Sequence, residues 1–297
     1  MELRILKYFL TVAREENITR AAALLHITQP TLSRQLMQME EELGVKLFRR
    51  GKHRIYLTEE GMLLCRRAQE MIDLAEKTEK ELNPRRKAVS GEISIGCGET
   101  QNMKPLCRMI ASFQKQYPDV SFNMDTAIAD EVKERLENGL LDMGLLMEPV
   151  EIGRYHYVRM PLKEKWNVLV RRDSPLADKA AITPQDLNGQ PLIMTRRQSV
   201  RNELENWFGQ EAKGLKVVST CNLSQMNLMA MVEGGMGAAL VMEFPCSQDA
   251  LCLRPLEPEL ESGCVLVWKK NQSLSPAVLA FVTHIRESLE ASAAVLP

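Results

Sequence analysis

No stretch of this 297-residue sequence approaches the ~20 consecutive apolar residues of a membrane span. The N-terminus lacks a signal-peptide pattern, because Glu2, Arg4 and Lys7 interrupt any apolar core there. An intracellular, cytoplasmic protein is expected. The seven cysteines include no C-x-x-C pair and are odd in number, which argues against a disulfide framework or a zinc site and favours reduced, mostly buried thiols over a redox switch. The four histidines, His26, His53, His156 and His284, are scattered, so no metal cluster is expected. There is no P-loop, no H-E-x-x-H and no nucleophile elbow. G-C-G-E-T-Q at 96–101 resembles part of a dinucleotide loop but lacks its third glycine. Neither catalysis nor a cofactor is expected.

What is present is a soluble globular composition, 45% hydrophobic and 26% charged. The length exceeds one compact core of ordinary size, so two or more domains are expected. The charge is uneven. Residues 1–90 hold 17 Lys+Arg against 13 Asp+Glu, and the remainder holds 21 against 26. The basic density is greatest in KLFRRGKHR at 46–54, which contains no acid. A mildly basic front end is compatible with nucleic acid.

Residues 3–14, LRILKYFLTVAR, place Leu6, Phe9, Leu10 and Ala13 at helical spacing. Asn17 and Thr19 offer N-caps for a short helix, TRAAALLH, whose alanine run admits a close neighbour. After a break at His26-Ile27-Thr28 a third helix begins at Gln29. Pro30 suits its first turn, where a missing N–H costs nothing. Leu32, Leu36, Met39 and Leu43 form the inward stripe, and Gly44 is a C-cap. Two short helices joined by a tight turn describe a helix-turn-helix, whose second helix enters the major groove by its first turns. The polar start of that helix suits the task, since Arg donates to guanine and Gln pairs with adenine. The candidates are Thr28, Gln29, Pro30, Thr31, Ser33, Arg34, Gln35 and Gln38. The competing reading is capping and solvation of a generic helical hairpin.

Leu47-Phe48, the basic turn 49–53 and the alternating Arg54-Ile55-Tyr56-Leu57 read as a β-wing. Arg50, Lys52 and Arg54 are its candidates for phosphates or the minor groove, against a solvated surface hairpin. A long helix follows, with Thr58 as N-cap and Glu59-Glu60 complementing its dipole. Leu64, Ala68, Met71, Ala75, Thr78 and Leu82 run as a heptad seam. The seam suggests a dimer reading two half-sites, against core packing within one chain. Asn83-Pro84 ends the pattern, and RRKAVSG is a linker.

From Gly91 onward strands and helices alternate. ISIGC, VSFNMDT, LDMGLLM, WNVLVRR, PLIMT, LKVVSTC, GAALVM and GCVLVWKK read as strands. Helices lie between, including SVRNELENWFGQE with Ser199 as cap and a closing SPAVLAFVTHIRESL. The pattern is α/β with parallel strands.

Residues 18–50 resemble the DNA-binding signature of LysR-type transcriptional regulators. The pattern is carried by Ala21-Ala22, Leu25, Gln29-Pro30, Ser33-Arg34, the acids Glu40 to Glu42, Glu42-Leu43-Gly44 and Leu47-Phe48-Arg49. The chain length and downstream layout fit too. The resemblance implies an α/β protein with an all-helical front end: a winged helix-turn-helix over 1–58, a linker and dimerisation helix with hinge over 59–90, and an effector-binding domain over 91–297. That last domain would resemble periplasmic binding proteins, with lobe I at about 91–161 and 266–297 and lobe II at about 162–265. Double-stranded operator DNA with dyad half-sites and a small-molecule effector, such as a carboxylate, are the implied partners of a homodimer or homotetramer. The effector would sit in the cleft, at strand C-termini and helix N-termini.

The candidates facing that cleft are Thr100, Gln101, Asn102, Thr126, Thr195, Arg196, Arg197, Cys221 and Asn222. Thr100 aligns with the strand-end hydroxyl that family members use on ligand, and Arg196 or Arg197 would pair with an anion. Plain helix caps and solvated arginines are the bland alternatives. Glu99 departs from the expectation, because an acid at the pocket mouth repels an anion or attracts a cation. A redox-sensing regulator of the same fold, with Cys246 and Cys252 as the nearest pair, and an α/β enzyme or solute-binding protein are the alternatives.

Overall fold

The computed structural model describes residues 2–50, 54–81, 89–222, 224–246, 249–270 and 272–295, with the backbone alone described at 50, 80, 81 and 292–295. Lys52, His53, Leu82, Asn83-Pro84 and most of the linker lie outside the described residues, as does the side chain of Arg50. The chain forms two compact units, Met1–Arg85 and Arg86–Pro297.

The first unit contains α1 (Leu3–Glu15), α2 (Ile18–Leu24), α3 (Gln29–Leu43), β1 (Phe48–Arg50), β2 (Ile55–Leu57) and α4 (Glu59–Glu81). Asn17 caps α2 by accepting the Arg20 N–H at 3.0 Å; Thr19 lies inside that helix. The turn between α2 and α3 closes in a Schellman pattern. His26 N donates to Ala23 O, Ile27 N donates to Ala22 O, and His26 takes the left-handed φ of 53°. Thr28 then caps α3, and Gly44 ends it at φ 69°. Leu6, Phe9, Val12, Ala21, Ala22, Leu32, Leu36 and Met39 bury together. At ~1.5–3 kcal/mol for each large side chain, that burial sets the angle between α2 and α3. Leu43 is 41% exposed and is not part of this core, because the last turn of α3 runs past it.

β1 and β2 pair antiparallel, Phe48 with Leu57 and Arg50 with Ile55, and form the wing. Thr58 caps α4 by accepting the Gly61 N–H at 2.9 Å, while its own hydroxyl donates to Lys46 O at 2.6 Å. A Cβ on Gly61 would sit 2.1 Å from Leu47 O, so α4 starts as close to the wing as a backbone allows. The heptad stripe on α4 is largely engaged within the unit. Ala68 is fully buried, and Leu64, Cys65 and Met71 pack partly against the α1 core beside buried Ile72. The apolar residues that α4 leaves exposed are Met62, Leu63 and Leu74. Leu63 and Leu74 stand three turns apart on one face, off the expected seam.

The second unit holds two sheets. The first has the order β4-β3-β5-β13-β6, from β3 (Gly91–Cys97), β4 (Val120–Thr126), β5 (Met143–Met147), β6 (Tyr155–Arg159) and β13 (Cys264–Lys269). α5 (Met103–Gln116), α6 (Ala129–Glu137) and α9 (Pro276–Val295) flank it. The second sheet has the order β11-β7-β10-β8-β9, with β12 on β7. Its strands are β7 (Glu164–Arg171), β8 (Pro191–Thr195), β9 (Lys216–Cys221), β10 (Ala238–Met242), β11 (Leu251–Pro255) and β12 (Glu261–Ser262), with α7 (Gln198–Phe208) and α8 (Gln225–Glu233). Each sheet is buried on both faces.

The all-parallel expectation fails at two strands. β13 runs antiparallel to β5 and β6, and β7 runs antiparallel to β10, β11 and β12. These are the strands next to the two crossings between sheets, at 160–163 and at 263. A chain that returns to the first sheet without a helical crossover enters in the opposite direction. The second crossing falls between Ser262 and Cys264, a few residues before the expected 265/266 boundary. Ser199 is not the α7 cap: the helix starts at Gln198 and Arg197 holds the N-cap position.

Candidate functional site

Two surfaces concentrate the candidate residues. On the first unit, α3 presents Thr28, Gln29, Pro30, Thr31, Arg34 and Gln38 exposed, with Ser33 and Gln35 half-buried. The outermost groups are oriented locally. Thr28 Oγ1 meets Thr31 Oγ1 at 2.8 Å, Gln29 Nε2 donates to Ser33 Oγ at 2.8 Å, and Gln38 Nε2 donates to Glu42 Oε1 at 3.3 Å. Thr31, Arg34 and Gln38 stand one turn apart on the same face. Among the described residues Arg34 has no acidic partner. Arg54, by contrast, is engaged: its Nη1 lies 3.0 Å from Glu16 Oε2. Arg49 stacks over Tyr56 at 5.7 Å.

A residue the sequence reading passed over as one acid among three fixes this arrangement. Glu40 is 9% exposed. Its Oε1 accepts the N–H groups of Leu47 and Phe48 at 2.8 and 3.2 Å, and Oε2 accepts Lys46 Nζ at 2.6 Å. Burial works against its charge. The bonds from Lys46 and the two backbone amides outweigh burial and hold the carboxyl below its ordinary pKa. Glu40 thereby ties α3 to the start of the wing.

On the second unit a cavity of about 450 Å³ opens between the two sheets. It is lined by Gly98, Glu99 and Thr100 after β3, Thr126 to Glu131 around the start of α6, and Leu145 to Met147 of β5. From the other side come Thr195 to Gln198, Val200, Asn222 and Ser224. Leu145, Leu146, Ile128 and Val200 give it apolar walls, and the starts of α6, α7 and α8 surround it. Neither Ile128 nor Arg197, the N-cap residues of α6 and α7, makes a side-chain cap bond.

Six of the nine cleft candidates line this cavity: Thr100, Thr126, Thr195, Arg196, Arg197 and Asn222. Gln101, Asn102 and Cys221 do not. Asn102 is fully buried, donating from Nδ2 to Leu162 O at 3.0 Å and to Glu164 Oε1 at 2.9 Å, and accepting the Leu162 N–H at 3.1 Å. Gln101 reaches Glu243 O at 3.2 Å, and Cys221 packs into the core beside α8. Thr100 lines the cavity, but its hydroxyl donates to Glu164 Oε1 and accepts the Asn102 N–H at 3.1 Å. Glu164 is 1% exposed and sits at the first crossing between sheets, so the loop after β3 is fastened to that crossing. Arg197 donates from Nη1 to Met147 O at 3.0 Å and from Nη2 to Pro149 O at 2.7 Å. Burial lowers its pKa from the ordinary arginine value, and the charge persists. The α6 and β5 portions of the lining escaped the sequence reading; the strand-end position of Met147 was the available signal.

All seven cysteines are free thiols. Cys246 and Cys252 pack into different core clusters of the second sheet. Burial, then the charge of Glu164, pushes the Cys264 thiol up to about 12. Among the described residues no group of three or more His, Cys, Asp or Glu is placed to hold a metal ion, and no helix is long and apolar enough to cross a membrane.

Residues 3–62 match the bacterial regulatory helix-turn-helix protein family, lysR family, and residues 86–290 match the LysR substrate binding domain. The Hca operon transcriptional activator HcaR of Escherichia coli (strain K12) is 30% identical over 299 residues, covering 97% of this chain and 98% of HcaR. The hydrogen peroxide-inducible genes activator of Dickeya chrysanthemi is 25% identical, covering 98% and 96%. Among solved structures, HinK, a LysR family transcriptional regulator from Pseudomonas aeruginosa, aligns at a TM-score of 0.56 with 26% identity over 97% of this chain and 98% of HinK. Full-length CbnR complexed with its target DNA aligns at 0.73 with 22% identity over 97% and 100%, a likeness of fold. The chain belongs to the LysR family of DNA-binding transcription regulators that carry a substrate-binding domain.

Proposed function

We propose that the exposed face of α3 reads base edges in the major groove, with Thr31, Arg34 and Gln38 as its central contacts. Thr28, Gln29, Pro30, Ser33 and Gln35 shape and flank that face. Arg34 carries the reading: it is an exposed cation on the polar face with no acidic partner among the described residues, whereas Arg54 has one. Arg50, Lys52 and Arg54 serve phosphates, with Arg54 exchanging Glu16 for the DNA backbone on binding. The regulator works in the cytoplasm as a homodimer or homotetramer on dyad half-sites.

The cavity of the second unit is the effector site. Its size and mixture of apolar walls with a few polar ends suit a small organic molecule. Thr100, Thr126, Thr195, Arg196, Arg197 and Asn222 are its polar residues; Gln101, Asn102 and Cys221 support it from behind. An occupant that changes the closure of the two sheets changes how DNA is held.

A shift assay with DNA from upstream of its own gene, and a genome-wide selection of bound fragments, test the DNA reading at two salt concentrations. Wild type is expected to show a preferred site, and Arg34→Ala to lose about 1–3 kcal/mol of discrimination there while keeping most non-specific affinity. Equal site preference in the two proteins refutes the role of Arg34.

A further inference from the structure

One helix end at the cavity is already filled, and by the chain itself. α8 begins at Gln225, and its N-cap Ser224 makes no side-chain cap bond. The acceptor comes from the opposite sheet: Glu99 Oε2 receives the Gln225 N–H at 2.8 Å, across 126 residues of sequence. Glu99 is an exposed loop residue that lines the cavity, and among the described residues it makes no ion pair. Two further ties cross the same cleft, from Arg197 to the Met147 and Pro149 carbonyls and from Gln101 to the Glu243 carbonyl.

The start of α7 is different. Thr195 is 3% exposed and lines the cavity. Its Oγ1 accepts the Arg197 N–H at 3.2 Å, and its hydroxyl hydrogen has no acceptor among the described residues. A buried donor left without an acceptor points to a ligand group that supplies one.

We propose that Glu99 is a tethered occupant of the anion position at the N-terminus of α8, and the residue that sets ligand charge in the cleft. A carboxylate at a helix start is favoured by the free N–H groups and the dipole. Because Glu99 holds that place, a free carboxylate meets both a filled position and a like charge. The acceptor group of the ligand is directed instead to the open α7 end at Thr195. This proposal rests on the reading of the cavity as the effector site.

The test uses two aromatic probes of similar size and opposite charge, benzoate and benzylamine, titrated calorimetrically into the full-length protein, Glu99→Ala and Glu99→Gln. Glu99→Ala is expected to bind benzoate about tenfold more tightly than wild type, the size of a helix-terminus charge interaction in a partly buried site. Glu99→Gln is expected to fall between, since its amide oxygen still fills the position without the charge. Benzylamine should follow the opposite order. Both variants change an exposed loop residue, and far-UV circular dichroism checks their folding. Benzoate affinities that are flat across the three proteins overturn the proposal, as does absence of benzoate binding to all three. An equal gain for both probes in Glu99→Ala also overturns it, because that is added space alone. The titrations need no DNA. If they follow the expected order while promoter binding ignores both the probes and the substitutions, the effector reading fails and the role of Glu99 in the cleft stands.

Discussion

Replacing Glu40 tests how α3 is held against the start of the wing. In Glu40→Ala the Leu47 and Phe48 N–H groups lose their acceptor. Leu47 is 1% exposed, so its amide cannot turn to water. A buried donor deprived of a charged acceptor costs about 1–3 kcal/mol, and the part-buried Phe48 amide adds less. Lys46 is 74% exposed at its side chain, so its ion pair adds at most about 1 kcal/mol. The sum is about 3 kcal/mol, which in a unit of this size lowers the melting midpoint by on the order of 15 °C. Glu40→Gln keeps an oxygen on the amides and should lose about 1 kcal/mol. Trp166, Trp207 and Trp268 all belong to the second unit. Tryptophan fluorescence therefore follows that unit alone, while far-UV circular dichroism follows both. Glu40→Ala should move a circular-dichroism transition that fluorescence does not see. The pH dependence has a definite sign. A carboxyl held below its ordinary pKa adds stability that is complete above the ordinary glutamate range and is lost as pH falls through the folded-state value. Wild type should therefore lose more first-unit stability on acidification than Glu40→Gln. Equal damage from Ala and Gln, or joint movement of both transitions, would refute the reasoning.

Asn102→Leu is the counterpart in the second unit. It strips partners from Leu162 and from the buried Glu164 carboxylate, costing about 3 kcal/mol. The fluorescence midpoint should fall roughly 6–12 °C with the first unit unmoved; an unchanged midpoint would show that water replaces the amide. Gly61→Ala gains helix propensity yet is expected to destabilise the first unit by about 1–2 kcal/mol, because the new methyl would meet Leu47 O at 2.1 Å. Chemical denaturation followed by circular dichroism decides the sign.

Elements that bury one stripe were legible in the sequence. α1, α3 and the start of α4 announce themselves by apolar spacing, and α2 and α4 by Asn17 and Thr58 at their caps. β3, β5, β8 and β10 read as apolar runs because both faces of each sheet are covered. The same coverage hid strand direction: β7 and β13 are as apolar as their parallel neighbours, so nothing in their composition marks them as antiparallel. β6 (YHYVR) and β12 (two residues) carry too little apolar pattern to be seen, and β11 (LCLRP) ends in a proline that argues against a strand. On α4 the heptad spacing was real, but spacing does not say whether a stripe meets its own chain or another.

The same limit governs the sites. Residue type and position at a strand end were enough to bring Thr100, Thr126, Thr195 and Arg197 to one cavity, because strand ends and helix starts of an α/β layer converge there. What each group is free to do depends on partners far away in sequence. Thr100 lines the cavity, but its hydroxyl gives its hydrogen to Glu164, 64 residues on. It is therefore no donor for a ligand carboxylate, whereas Thr195 keeps its hydrogen. Glu40, Glu99 and Glu164 act alike: each carboxylate accepts backbone N–H from another segment of the chain and so fastens two segments together. A charge is well suited to this work, because its bonds to amides are stronger than neutral ones. It also leaves a consequence that an apolar contact would not. A ligand able to compete for the same N–H groups can undo the tie, and of the three only Glu99 is exposed to such a competitor.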